Sequence, residues 1–183
     1  MFCGSSLTTV EKHQQIDPSP SAEEGWRVLH VVANHEKSVA QHLTVRAVEH
    51  FLPLYNERSR WSDRTVTLLR PLFPGYVFAR FAPRLKYLTV TTPGVLNVLG
   101  DERTGIVPFA EVERIQHALA EGYPLRPSAE LVCGIQVRVR GGVFSGVEGI
   151  VADLRGNCRV LIRVSRIDRC FSLETRSEDL EVL

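Results

Sequence analysis

Arg70-Pro71-Leu72-Phe73-Pro74-Gly75-Tyr76-Val77-Phe78-Ala79-Arg80 is the stretch on which the reading of the first two thirds of this chain turns. Neither proline can donate to a β-ladder, and Gly75 tolerates backbone angles closed to other residues. The segment therefore bends and then runs as a strand over residues 76–81. A period of two places Tyr76, Phe78 and Arg80 on one face and Val77, Ala79 and Phe81 on the other. Apolar groups on both faces mean a strand buried on both sides, or one whose second face is kept for a partner. Composition alone favours the core.

Upstream, the β-branched run at 26–32 predicts a strand with Trp26, Val28, His30 and Val32 on one face. Asn34 is placed to cap a helix over 36–48, where Val39, Ala40, Leu43 and Ala47 recur at helical spacing. Lys37, Gln41, His42, Thr44 and Arg46 occupy its other face. Residues 49–55 read as a second strand, and the polar stretch 56–63 as a hairpin tip with Arg58 and Arg60, followed by Arg64. A solvated loop is the plain reading of that tip, and a phosphate contact the alternative.

A strand at 65–69 leads into the opening stretch. Beyond it come a short helix (83–90), a turn at Thr91-Thr92-Pro93-Gly94, a strand (95–99), a loop (101–105) and a helix (109–121) striped by Val112, Ile115 and Leu119. The order β-α-β-β-α-β-α predicts an α+β sandwich, helices packed on an antiparallel sheet. Residues 122–130, with two prolines and no periodicity, read as a semi-rigid linker. From 131 to 183 short strands (136–140, 149–153, 159–164, 170–174) separated by glycine turns predict a small all-β barrel. Residues 1–24 are polar and proline-containing, and read as a disordered leader.

The chain has 183 residues, 44% apolar and 23% charged, with a net charge of +1. That balance gives no global attraction to nucleic acid or anionic membrane, so any such contact has to be a local patch. Cys3, Cys133, Cys158 and Cys170 are dispersed without a CxxC pair, which suggests neither zinc nor a disulfide framework. Neither a membrane span nor a signal peptide is expected, so a cytosolic protein is the reading, and a monomer is the expectation.

Two motifs carry a family resemblance. Leu72-Phe73-Pro74-Gly75-Tyr76-Val77-Phe78 resembles the signature strand of the N-terminal (NGN) domain of the NusG family of transcription elongation factors. Val137-Arg-Val-Arg-Gly-Gly-Val-Phe144-Ser-Gly146-Val-Glu-Gly149-Ile-Val151 resembles a KOW motif, with an aromatic held out for a partner. The glycines there read as positions of positive φ (Gly142, Gly146) and of close approach (Gly149). The resemblance spans residues 26–183. It divides the chain into an NGN domain (25–121), a linker (122–130) and a KOW domain with an SH3-like barrel (131–183).

The resemblance implies no catalysis and no cofactor. It implies binding to the clamp helices of the largest RNA polymerase subunit through His30, Phe73, Pro74, Tyr76, Phe78, Val98 and Leu99. Tyr87, Leu88 and Thr89 fall where relatives touch the opposite side of the cleft. Lys37, His42 and Arg46 fall where specialised paralogues meet the non-template DNA strand. Val143, Phe144, Ile162, Val164 and Ile167 match the KOW surface used against the termination factor Rho or a ribosomal small-subunit protein. Val143 stands where the common motif has proline, and Val164-Ser165-Arg166-Ile167 lacks the usual Phe-Gly-Arg run. These departures weaken the likeness for Rho in particular, and with the long leader and the Leu72–Phe78 signature the chain is more similar to operon-specific antiterminators of RfaH or UpxY type than to the housekeeping factor.

Against an enzyme, the chain carries no glycine-rich phosphate loop, HExxH, GxSxG or paired carboxylates. Against a free-standing ribosomal or RNA-binding KOW module, residues 131–183 hold eight Arg against seven acidic residues. A further expectation concerns the KOW domain folding back onto the NGN face: its β-branched residues predict a barrel there, not a helical hairpin.

Overall fold

The computed structural model describes residues 25–61, 63–100, 105–128, 134–153, 158–167 and 169–183. The leader, most of the 101–105 loop and residues 129–133 around the expected linker end lie outside the described residues.

The first unit is built around strand β1 (Trp26–Val31), whose apolar residues are too dense for a one-sided strand. It pairs antiparallel with β5 (Tyr76–Arg80) and β6 (Val95–Val98). With β2 (Glu49–Phe51) beside β5, the sheet order is β2-β5-β1-β6, and β7 (Ile106–Val107) also pairs with β1. Helix α1 (Glu36–Val45) closes one face. Its Val39 and Leu43 are buried with Leu29, Val31, Val77, Ala79 and Phe81, while Phe78 on the other face is buried as well, so the strand is covered on both sides. The helix ends earlier than expected, with Ala47 at φ 54°. Its N-cap is His35, with no side-chain cap bond, while Asn34 turns through φ 63°. Asn34 is the pivot of the turn and not the cap.

On the other face lies α3 (Phe109–Ala120), with Val112, Ile115 and Ala118 buried. Between β5 and β6 a 3-10 turn (Pro83–Leu85) runs into the short α2 (Lys86–Val90). Strands β3 (Leu54–Arg60) and β4 (Thr65–Pro71) form a separate two-stranded ribbon. The expected polar tip at 56–63 is mostly strand: the ladder runs out to the pair Arg60 and Thr65. A strand with no buried face carries no apolar alternation, so its polar sequence reads as loop.

The second unit is a six-stranded antiparallel sheet in the order β13-β9-β10-β11-β12-β8. Its strands are β8 (Arg126–Ser128), β9 (Ile135–Val139), β10 (Glu148–Asp153), β11 (Cys158–Arg163), β12 (Cys170–Thr175) and β13 (Leu180–Val182). The chain is thus an α+β sandwich followed by a small all-β barrel, as the sequence predicts. Gly142 and Gly146 take φ 69° and 81°. A Cβ on Gly149 would stand 2.6 Å from Val160 Cγ1 and 2.7 Å from the Leu161 carbonyl oxygen. Within the expected linker, Arg126–Ser128 pairs with β12, with Pro127 opposite Phe171. Proline is tolerated there because β8 is an edge strand.

Candidate functional site

The apolar face of the signature strand is where the two units meet. Phe73 and Phe78 are 1% and 0% exposed, and one continuous buried cluster joins them to Val112 and Ile115 of α3 and to Val137, Phe144, Ile162, Val164 and Phe171 of the barrel. Phe73 meets Phe78 edge-on at 5.9 Å and Phe171 at 6.2 Å. Phe144 lies 5.5 Å from Phe171 and 6.4 Å from Tyr123. Each such aromatic pair contributes about 0.5–1.5 kcal/mol beyond its buried area.

The two aromatics that the resemblance assigns to the clamp helices are therefore covered, Phe73 directly by the barrel's Phe171 and Phe78 within the cluster that α3 and the barrel share. Phe144, expected to project toward a partner, is itself 2% exposed, and Ile162, Val164 and Ile167 are buried with it. Val143 is partly buried against the same cluster. An aromatic strand face needs a neighbour to exclude water, and the sequence does not say which surface will supply it.

Polar contacts register the two units. Glu111, in the first turn of α3, accepts from the Ser165 backbone N–H at 2.9 Å and from the Ser165 hydroxyl at 2.5 Å. Arg166, at φ 70°, donates from Nε to the Ile106 carbonyl at 3.4 Å. Arg126 donates to the Asn56 carbonyl and lies 5.3 Å from the Tyr55 ring centroid. None of these was visible in the sequence, because each pairs residues more than fifty positions apart.

The rest of the signature face is half open. Tyr76 stacks on His30 at 5.5 Å, opposite it in the β1–β5 register. Pro74 is exposed and Leu99 is partly covered against the cluster that holds Phe73 and Phe78, but Val98, opposite Leu29 in the β1–β6 register, packs with the α1 cluster on the other face of the sheet and so does not join this set. The turn between Phe73 and Tyr76 is pinned by Glu36, a carboxylate only 4% exposed, which accepts from the Gly75 N–H at 2.7 Å. Its position in α1 gives no sequence signal for that role.

Of the expected opposite-side residues, Tyr87 is 79% and Leu88 36% exposed, while Thr89 is fully buried and its hydroxyl donates to the Leu85 carbonyl. Thr89 thus serves α2 internally. The helix set divides as well. Lys37 donates to the Leu69 carbonyl on β4, Arg46 donates to the Leu88 carbonyl, and His42 Nδ1 is buried. Lys37 and Arg46 are drawn to different neighbours, so the three do not present one continuous row.

Among the described residues no cluster of three or more His, Cys, Asp or Glu is placed to hold a metal. No helix there is long and apolar enough to cross a membrane.

Comparison with known proteins agrees with this architecture. The chain is 24% identical over 177 residues to the transcription termination/antitermination protein NusG of Lactococcus lactis, covering 88% of this chain and 94% of the relative. The solved structure described as "Domain interaction in Thermotoga maritima NusG" matches with a TM-score of 0.55 at 18% identity, over 86% of this chain and 96% of that one. A structure of the MjSpt4:Spt5 complex matches at a TM-score of 0.29 and 12% identity, over 86% and 97%, too low a score to bear on the fold. The family model described as "Transcription termination factor nusG" matches residues 24–116, just over half of the 183 residues, and so the chain belongs to the NusG family.

Proposed function

We propose that this protein is a non-catalytic transcription elongation factor that binds the clamp helices of RNA polymerase through the signature face and suppresses pausing, acting in antitermination on particular operons. The observation that carries the reading is the composition of that face. Phe73 and Phe78 form an aromatic floor beside the Tyr76–His30 stack, the kind of apolar groove into which helices seat. The barrel occupies the floor, so binding at this face requires the barrel to leave, and the surfaces assigned to the two classes of partner become available together. The closed form is the resting state in this reading, and the polymerase must supply differential affinity for the open one.

The test is capture of core RNA polymerase, or of its isolated clamp-helix hairpin, by three full-length proteins: wild type, Tyr76→Ala and Glu111→Ala. Loss of the Glu111 contacts raises the fraction of molecules with the barrel undocked, so Glu111→Ala binds more tightly than wild type. Tyr76→Ala loses a central aromatic anchor, at a cost of roughly 2 kcal/mol or more. Failure of the Glu111→Ala protein to bind either target sinks the proposal.

A housekeeping factor that couples polymerase to Rho or to a ribosomal protein is the second reading. It is favoured by the near full-length match to Lactococcus NusG. Deletion of the gene separates the two: the first predicts loss of expression confined to a few long operons, the second a general effect.

A further inference from the structure

The β3–β4 ribbon has one face that the fold does not use. In the observed register Asn56 stands opposite Leu69, Arg58 opposite Thr67 and Arg60 opposite Thr65. Paired residues share a face, so these six side chains line one side of the ribbon, and all six are exposed. The reverse side carries Tyr55, Glu57, Ser59, Val66 and Leu68, all half-buried, together with Arg70. Its carboxylate is already matched, since Arg70 Nε meets Glu57 Oε2 at 3.0 Å. The exposed side thus holds two arginines, two threonines and no acid.

Neither Arg58 nor Arg60 has a carboxylate partner among the described residues. At the tip the Trp61 N–H donates to the Arg64 carbonyl, and the Arg64 guanidinium lies 5.6 Å over the Trp61 ring, which remains 50% exposed. Asp63 is the one acidic residue of the described tip. At the base the ribbon is flanked by two more cations. Arg126 holds the Asn56 carbonyl on β3, and Lys37 holds the Leu69 carbonyl on β4. A cleft of about 920 Å³ between the ribbon and β8 is lined by Arg58, Thr67 and Arg126 and, from the reverse side, by Tyr55 and the Arg70-paired Glu57.

We infer that this face binds single-stranded nucleic acid, its backbone running from the Arg126–Arg58 cleft past Arg60 and a base stacking at Trp61. Three features favour that occupant. In a protein of net charge +1 two guanidinium groups without a carboxylate partner among the described residues stand on one side of one ribbon, with no acid beside them on that side, where they match a polyanion. Arg58 and Arg60 stand two residues apart, about 6.6 Å along the strand, which suits successive phosphates on one extended chain. Just past the end of the row, at the tip, stands a half-exposed indole backed by a guanidinium, a platform for an unpaired base that a duplex would not offer. Phosphate contacts give affinity without sequence choice, so this surface supplies general grip and not operon selection.

The experiment is fluorescence anisotropy of the full-length protein with a labelled single-stranded DNA of mixed sequence, the same sequence as RNA, and the blunt DNA duplex, each across a salt series. Wild type binds the DNA or RNA single strand more tightly than the duplex. In Arg58→Ala/Arg60→Ala, affinity falls about tenfold or more at low salt, and the salt slope shrinks by about 1.4, at about 0.7 per phosphate contact. Arg60→Glu falls at least as far, and gives the same reading from a single site if the double variant folds poorly. Trp61→Ala weakens binding with the slope unchanged, since stacking releases no counterions. Ser59→Ala, on the reverse side, leaves both unchanged. Preference for the duplex overturns the inference, and so does unaltered binding by both arginine variants, which leaves the face to a protein partner. The assay contains no polymerase, so its outcome is independent of the clamp-helix proposal.

Discussion

Glu111→Ala tests whether the barrel is held on the NGN face by a specific contact. The wild-type carboxylate takes two hydrogen bonds from Ser165, at 2.9 and 2.5 Å. A hydrogen bond to a charged group contributes about 1.5–3 kcal/mol when water is excluded. Glu111 is only half-buried, so water recovers part of the loss in the variant, and the two bonds share one acceptor group. A combined cost of about 2 kcal/mol follows, equivalent to about a 30-fold shift between closed and open forms. The aromatic contacts of Phe73, Phe171 and Phe144 stay, so the variant remains mostly closed.

Native-state hydrogen exchange of the full-length chain reads that shift amide by amide. The Val164 N–H, bonded to the Arg169 carbonyl in the turn that carries Ser165, exchanges up to about 30-fold faster in the variant. The amides of Val77 and Ala79, whose side chains are buried with α1, keep their wild-type rates. Unchanged exchange at Val164, or an equal loss of protection through both units, refutes the reasoning.

Gly149→Ala destabilises the barrel by about 1–3 kcal/mol, because the added methyl meets the Leu161 carbonyl at 2.7 Å and backbone cannot yield as a side chain does; a wild-type chemical denaturation midpoint would contradict this. Glu36→Ala strips the Gly75 N–H of its buried acceptor and costs about 1–3 kcal/mol, read as a lowered thermal midpoint, with no loss expected if water serves the amide equally well. Burial and then the Glu57 carboxylate push the Tyr55 phenol above its ordinary 10.0, outweighing Arg126 and Arg70. Its folded value is the higher one, so its stabilising contribution is present below the ordinary phenol value and is lost as pH rises through the raised value. The ultraviolet phenolate titration of wild type minus Tyr55→Phe shows that late midpoint, and a midpoint at or below the ordinary value would contradict the packing.

Local sequence determined a great deal here because its cues are short-range. Alternation separated Val77, Ala79 and Phe81 for the α1 side of the sheet, and β-branching with glycine turns gave a barrel, with Gly149 at the close approach. The outer part of the ribbon is not legible in the sequence because polar strands without a buried face carry no periodic signal, and Pro127 hides β8. Only the tertiary structure decided what covers Phe73, Phe78 and Phe144. Their apolar surface requires a neighbour, but a hydrophobic driving force has no direction, so any face of suitable shape satisfies it. Which face does so is chosen by the fit of two separately folded surfaces and by long-range pairs such as Glu111 with Ser165, where no spacing in the chain records the partner.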